Sequence, residues 1–133
     1  MLAVKLIAAA VLLACLPVLA QEHRQLTVQE SHELVMAAIP ESAKQLPKFG
    51  LDDFTMPEQP RFFFVEALWD NPGGSVVYGS YAVDKVTGDV WSAVICREEK
   101  SRRLRAAQRQ LRRKIGLSDA AYKKAKRRGP LCE

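Results

Sequence analysis

Three apolar segments separated by turn sequences constrain the fold of this chain more than any other feature. Residues 62–69, 75–83 and 89–96 are each rich in aromatic and β-branched side chains, which favour β-strands. The sequence DNPGG at 70–74 separates the first two segments, and KVTG at 85–88 separates the last two. Because turns this short join neighbouring antiparallel strands, the pattern predicts a three-stranded antiparallel meander.

Both faces of the middle segment carry apolar side chains. Val77, Tyr81 and Val83 alternate along the chain with Tyr78 and Ala82, so the two sets lie on opposite faces of a strand. Neither face is purely polar. The sheet is therefore either covered on both sides, or one of its faces binds a partner.

A helix is expected before the sheet. The sequence TVQE at 27–30 is a capping box, in which the Thr27 hydroxyl accepts a hydrogen bond from the Glu30 amide and the Glu30 carboxylate accepts one from the Thr27 amide. Pro40 is expected to end this helix, and residues 41–60 to form a helical turn and then an irregular connection. The apolar side of the helix would consist of Leu34, Val35, Ala38 and Ile39.

Two basic helices are expected after the sheet. Apolar residues recur every three or four positions among many arginines, and Gly116 stands where a left-handed residue commonly ends a helix. Ser118 is a suitable N-cap for a second, shorter helix that would run to about Arg127, before Gly129 and Pro130. The apolar side of the first basic helix would consist of Leu104, Ala107, Leu111 and Ile115.

The start of the chain has the order of a secretory signal peptide. Lys5 precedes an apolar run at 6–13 that is too short to span a membrane, and a small-residue end predicts cleavage after Ala20. The sequence LLAC also resembles a lipobox, in which case Cys15 would carry the lipid. Residues 1–20 are therefore expected to be a signal peptide of a periplasmic or secreted protein, with membrane attachment only if Cys15 is lipidated.

The remaining residues, 21–133, are expected to form one α+β domain, with the sheet in 61–96 and a basic helical segment in 97–133. Cys96 and Cys132 are the two cysteines of this part, and an even pair in an exported chain predicts a disulfide bond. The expected fold is an N-terminal helix packed on the meander, followed by two basic helices that the disulfide ties back to the third strand.

Charge is divided unevenly along the chain. Residues 21–96 hold 5 Lys/Arg and 11 Asp/Glu, whereas 97–133 hold 14 and 4. The basic segment could contact an acidic protein surface or an anionic envelope polymer, while export argues against a nucleic-acid partner. It could also be a solvated cationic face that covers the acidic sheet. The candidate contacts with an anionic surface are Arg102, Arg103, Arg105, Arg109, Arg112 and Arg113.

The chain contains no recognisable catalytic set. His23 and His32 are its two histidines, and the sequence HELVM has Met36 where a zinc-protease helix carries its second histidine ligand. Asp84 and Asp89 flank the second turn, where Asp side chains commonly accept hydrogen bonds from loop amides. We therefore predict a non-enzymatic protein with no metal site and no cofactor.

Residues 81–91, YAVDKVTGDVW, resemble the last hairpin of small exported PepSY-like and NTF2-like immunity or inhibitor domains, which have a cystatin-like α+β fold. In those domains an acidic residue and a Thr-Gly turn join two apolar strands. The resemblance covers the element order over 27–95 and individual residues over 83–90, and it leaves out the basic helices. It implies a protein that binds and blocks another, such as a periplasmic immunity protein against a cell-wall-degrading enzyme or toxin.

Aromatic side chains of the sheet are candidate contacts with such a partner, because aromatic residues and arginines contribute most of the binding energy at many interfaces. They could instead pack in the core. The alternative function is an envelope module that binds anionic glycan or lipid through the arginine-rich helix. The candidate partner-binding residues are Phe63, Trp69, Tyr78, Tyr81 and Trp91.

Overall fold

The computed structural model describes residues 23–130. They form four helices and one antiparallel sheet whose five strands lie in chain order. The predicted signal peptide, including Cys15, lies outside the described residues, and so does Cys132. The helices are α1 (Val28–Ala38), α2 (Glu41–Lys44), α3 (Arg102–Ile115) and α4 (Asp119–Ala125), and the strands are β1 (Gly50–Phe54), β2 (Phe62–Leu68), β3 (Val77–Asp84), β4 (Val90–Ser92) and β5 (Arg97–Glu98).

The predicted α+β class is confirmed, but the predicted number of three strands is wrong, because the sheet has five. Strand β1 lies in the segment that was expected to be irregular. It pairs with β2 from Gly50 opposite Leu68 to Phe54 opposite Phe64. Its sequence, GLDDF, contains two aspartates, which are depleted in strands. Hydrogen bonding to β2 forms this edge strand despite its low intrinsic preference.

The third predicted strand is shorter than expected and is followed by a fifth. Strand β4 ends at Ser92, residues 93–96 form a turn, and β5 returns along β4 with Glu98 opposite Trp91. Cys96 ends this turn in the left-handed region, with φ 49°. Two charged residues carry no strand pattern of their own, so β5 depends on β4 for its conformation.

The main core lies between the helices and one face of the sheet. Leu34 and Val35 of α1 are buried there with Ile39, the residue directly after this helix, and so are Leu104 and Leu111 of α3. Burying a side chain of this size contributes roughly 1.5–3 kcal/mol to folding. The apolar stripes predicted for both helices are therefore confirmed as core-facing. None of the helices within residues 23–130 is long and apolar enough to cross a bilayer.

The opposite face of the sheet carries a second apolar cluster. Phe62, Phe64 and Ala82 are buried in it, and the Phe54 ring packs 5.3 Å from the Phe64 ring between centroids. Met56, in the connection between β1 and β2, packs against the cluster. Both faces of the sheet are thus partly covered within the chain itself, which was the first of the two alternatives open from the sequence.

The helix ends follow their predicted capping residues. Thr27 and Glu30 form the reciprocal capping box at the start of α1, and the Ser118 hydroxyl accepts the Ala121 amide at the start of α4. Gly116 ends α3 with φ 80°. Helix α4 ends at Ala125, two residues earlier than expected.

The Glu30 carboxylate joins three parts of the chain. It accepts two hydrogen bonds from Arg24, at 2.8 and 2.6 Å, and one from the Thr27 amide at 2.9 Å. Lys114, in the last turn of α3, lies 3.3 Å away. Chiefly through the Arg24 hydrogen bonds, and against the effect of burial, these contacts hold the pKa of Glu30 well below its usual range.

Replacing Glu30 with Gln should lower the free energy of unfolding at pH 7 by roughly 1–2 kcal/mol, because the charge-assisted bonds are lost while Gln still fits the capping box. A carboxyl whose folded pKa is lowered stabilises the protein above its unfolded pKa of about 4.3, and this contribution is lost as the pH falls towards the folded pKa. The difference between wild type and Glu30→Gln in urea unfolding should therefore shrink between pH 7 and pH 3.

The matched control is Glu33→Gln. Glu33 is exposed on the same helix and forms no ion pair with another residue of the described range. This variant should unfold like wild type throughout. A wild-type advantage over Glu30→Gln that stayed constant with pH would contradict the assignment.

Candidate protein-binding surface

A buried carboxylate joins the hairpin between β3 and β4 to the basic helices. The Asp89 side chain is 3% exposed and accepts hydrogen bonds from Thr87 Oγ1 at 3.0 Å, Arg112 Nη2 at 2.9 Å, the Tyr122 hydroxyl at 2.8 Å and Lys126 Nζ at 3.3 Å. We call these five residues the Asp89 cluster. Both carboxylate oxygens have donors, so the geometry is that of a structural anion rather than of a poised base.

Asp84, at the other end of the turn, holds the hairpin itself. Its Oδ1 accepts the amides of Val86 at 2.8 Å and Thr87 at 3.1 Å, which confirms the loop-amide role predicted for this residue. Its Oδ2 accepts Arg61 Nε at 2.9 Å. Arg61 also donates to the Ala125 carbonyl at the end of α4, so it links the hairpin to the second basic helix.

Arg112 makes the most contacts between α3 and the hairpin. Besides its bond to Asp89, its Nε donates to the Thr87 carbonyl at 2.8 Å, and its guanidinium lies 3.8 Å from the centre of the Tyr122 ring. Gln108, one turn earlier, donates to the Gly88 carbonyl at 2.9 Å. These bonds use backbone carbonyls that the turn leaves unpaired, so α3 is held in one orientation on the sheet.

The other polar members of the cluster have pKa values that suit these roles. Burial raises the pKa of Tyr122, so its hydroxyl stays protonated and can donate to Asp89. Burial opposes the charge of Lys126, but its hydrogen bonds with Tyr122 and Glu98 and the nearby Asp89 carboxylate raise its pKa overall. Lys126 therefore remains a cation beside Asp89.

A cavity of about 330 Å³ opens beside the Asp89 cluster. Glu98 and Glu99 line it from the end of β5, while Arg105 and Arg109 of α3 and Lys126 after α4 line it from the helical side. We call it the charged cleft. It combines both signs of charge, which is a common property of surfaces that bind proteins selectively.

A separate group of apolar side chains is exposed at one end of the sheet. Val94 is 80% exposed and Ile95 60% exposed, in the turn between β4 and β5. The Ala93 amide bonds the Ser80 carbonyl at 2.9 Å, which places this turn beside the start of β3. We call the group the apolar end, and its members are Val76, Val77, Tyr78, Val94 and Ile95. Exposed apolar groups of this kind are typical of interaction sites.

The five aromatic residues predicted to bind a partner lie in different environments. Tyr78 is 39% exposed and belongs to the apolar end. Tyr81 is buried in the main core, where burial raises the pKa of its phenol to about 12. Phe63 and Trp91 are half-buried against the two apolar clusters, and Trp69 is half-buried at the end of β2.

Sequence reasoning missed the aliphatic members of the apolar end. Val76, Val77, Val94 and Ile95 have the composition of strand interior, and only their position beside turns distinguishes them from buried residues. The one available signal was the apolar pair Val94 and Ile95 directly before Cys96. In the predicted strand these residues would be expected to pack against the sheet, but β4 ends at Ser92 and leaves them in an exposed turn.

The six candidate arginines also separate into groups. Arg103 donates to the Ile39 carbonyl at 2.6 Å and pairs with Glu41, so it caps the end of α1. Arg112 belongs to the Asp89 cluster. Arg105 and Arg109 line the charged cleft. The remaining two, Arg102 and Arg113, are exposed on α3 away from the cleft lining.

His32 lies beside β1. Its Nε2 is 2.7 Å from Asp53 Oδ1, and the imidazole is partly buried rather than fully solvated. Within residues 23–130, no group of three or more His, Cys, Asp or Glu side chains is arranged to hold a metal ion.

Comparison with solved structures finds one informative likeness. The chain is similar to a chain of a type VI secretion system effector–immunity complex from Pseudomonas protegens, with 25% sequence identity, a TM-score of 0.59, and coverage of 75% of this chain and 85% of that chain. No protein-family model matches the sequence, and no curated protein does. The fold is therefore like that of a protein from an effector–immunity pair, while the finer PepSY-like or NTF2-like assignment stays a prediction.

Replacing Asp89 with Asn should lower the free energy of unfolding by about 3–5 kcal/mol, because Arg112 loses its buried counter-charge. This loss of stability should depend on whether Arg112 is present. In a double-mutant cycle with Arg112→Met, measured by urea unfolding, the changes in unfolding free energy caused by the two substitutions should deviate from additivity by roughly 0.5–3 kcal/mol.

Asp52→Asn is the control for this cycle. Asp52 is exposed on β1, and within residues 23–130 its carboxylate accepts only the neighbouring Asp53 amide. Its effect should stay within roughly 0.5 kcal/mol of wild type. Strict additivity of Asp89→Asn and Arg112→Met would show that the two side chains do not stabilise the protein through each other.

Proposed function

We propose that this chain is an immunity protein, which works without catalysis by binding an effector and blocking it. The observation that carries the proposal is the likeness to a chain of an effector–immunity complex, at 25% identity over 75% of this chain. A non-enzymatic mechanism also fits Asp89, whose carboxylate oxygens are occupied by donors within the fold.

The apolar end supports a role in protein binding. Val94 and Ile95 together expose aliphatic surface at the tip of the β4–β5 pair, and Tyr78 remains 39% exposed although its ring packs edge-on against the Phe49 ring, 6.4 Å away between centroids. Exposing such groups to water is unfavourable unless a partner covers them. A projecting turn of this shape is suited to entering a concave site, such as the substrate cleft of an enzyme.

We further propose that the protein acts outside the cytoplasm, in the periplasm or after secretion, against an effector that degrades the cell wall. The signal-peptide pattern in residues 1–20 supports this compartment, with Cys15 as the alternative lipid attachment site. An oxidising compartment would also allow Cys96 to pair with Cys132. That bond would attach the end of the chain to the turn beside the apolar end.

The test is co-expression in a bacterium with the exported hydrolase or effector encoded beside this chain's gene. The full chain should restore growth when that effector is directed to the periplasm, and a form lacking residues 1–20 should not. The purified proteins should co-elute as one complex in size-exclusion chromatography. Absence of both protection and complex formation would refute the proposed function.

A double substitution, Val94→Asp with Ile95→Asp, should weaken effector binding by about tenfold or more, because the apolar contact would be replaced by charge. Isothermal titration calorimetry measures this change. Val28→Asp is the control, since Val28 is also an exposed valine but lies at the start of α1, near the opposite end of the sheet. It should bind like wild type. Equal affinity of both variants would exclude the apolar end from the interface.

A further inference from the structure

We propose that the charged cleft receives an acidic side chain of the partner, held between Arg105 and Arg109. The inference rests on the proposed function and names the chemistry that the partner must present. It concerns a different part of the surface from the apolar end.

The cleft contains two cations that the fold itself does not use. Glu98 pairs with Lys126 at 2.9 Å and with Lys100 at 3.6 Å, and Glu99 lies 3.7 Å from Arg97. Asp89 is neutralised by Arg112. Each carboxylate of the cleft thus has a cation partner.

Arg105 and Arg109, in contrast, form no ion pair or side-chain hydrogen bond with any residue of the described range. Both arginines are exposed to solvent, and both line the cleft. Within residues 23–130, the cleft therefore carries a surplus of positive charge, which suits an anion from a partner.

The spacing of the two arginines suits a carboxylate. Residues four apart on a helix lie on one face, about 6 Å apart at their Cβ atoms, so both guanidinium groups can reach the same ligand. The planar donor fork of arginine matches the two oxygens of a carboxylate. Because Gln108 and Arg112 attach α3 to the hairpin, the pair stands on a rigid support.

The small number of unpaired cations in the cleft favours a single carboxylate over a dense polyanion. Glu98 and Glu99 line the same cleft and have cation partners of their own, so the unpaired positive charge comes from Arg105 and Arg109, too few to match a chain of phosphates or sulfates. An isolated Asp or Glu side chain can enter between the two walls. A protein surface supplies isolated carboxylates, whereas nucleic acids and anionic envelope polymers present closely spaced charges.

The cleft and the apolar end lie at the two ends of the same edge strand. The four residue steps from Ile95 to Glu99 span at most about 13 Å at the rise of an extended chain. One partner surface of ordinary size can therefore contact both. The partner is expected to present an acidic side chain next to the site that receives the apolar turn.

Nuclear magnetic resonance of the purified chain tests the cleft without an effector. The probe is the blocked peptide acetyl-Gly-Glu-Asp-Gly-amide, titrated at constant ionic strength, with the Asn/Gln version as a neutral control. The Nε–Hε signals of Arg105 and Arg109 should shift saturably, and those of Arg102 and Arg113 should shift much less. Uniform shifts of all four, no shifts, or a stronger saturable response to inorganic phosphate would overturn the inference.

Charge reversal tests the same cleft against the effector used for the proposed function. Arg105→Glu with Arg109→Glu should weaken binding by about tenfold or more, and Arg102→Glu with Arg113→Glu, which changes the net charge equally, by less than about threefold. Circular dichroism should show that both variants remain folded, and Arg105→Gln with Arg109→Gln provides a milder version.

The outcomes separate the two proposals. Suppose that wild type binds the effector. If the two charge-reversed double variants both lose affinity equally, or if both keep wild-type affinity, the cleft assignment is overturned while the proposed function stands. If wild type does not bind the effector at all, the proposed function fails, and the inference about its partner fails with it.

Discussion

The ion pair between Asp89 and Arg112 is the contact on which the arrangement of the two halves of the molecule depends. A buried ion pair is not stabilising by itself. Removing both charges from water costs several kcal/mol, which is about as much as the attraction between the two charges contributes. Here the cost is offset because Thr87, Tyr122 and Lys126 complete the hydrogen bonding of the carboxylate. The result is a specific joint between the Thr-Gly hairpin and α3, rather than a general attraction between an acidic sheet and a basic helix.

This joint uses some arginines of the basic segment and leaves others exposed. Arg103 and Arg112 attach α3 to the end of α1 and to the hairpin, so they are part of the fold. Arg105 and Arg109, on the same helix, face a cleft in which the acidic groups already have partners. Arginines that hold the fold together therefore alternate along one helix with the arginines that we propose bind the partner. Because Arg103 and Arg112 attach α3 rigidly to the rest of the fold, the positions of Arg105 and Arg109 are fixed as well.

Local features of the fold could be predicted because their signals lie within a few residues of each other. The capping box of Thr27 and Glu30 and the left-handed cap at Gly116 each form as the sequence indicates. The edge strands β1 and β5 could not, because Asp52, Asp53 and Arg97 favour loops, and pairing with distant residues decides their conformation. The residues of the candidate site could be predicted only in part for the same reason. Tyr78 and Tyr81 occur in similar sequence contexts, but Tyr81 is buried and Tyr78 is exposed.

The amino-acid sequence alone determined where α1, α3 and α4 begin, which helix sides are apolar, and that basic residues follow acidic ones. These properties depend on short-range hydrogen bonds and on periodicity, which act within a few turns of chain. Only the tertiary structure decided that Arg112 pairs with the buried Asp89, 23 residues away, while Arg109 of the same helix is exposed. Burial and ion pairing depend on which distant segments meet, and no local pattern contains that information.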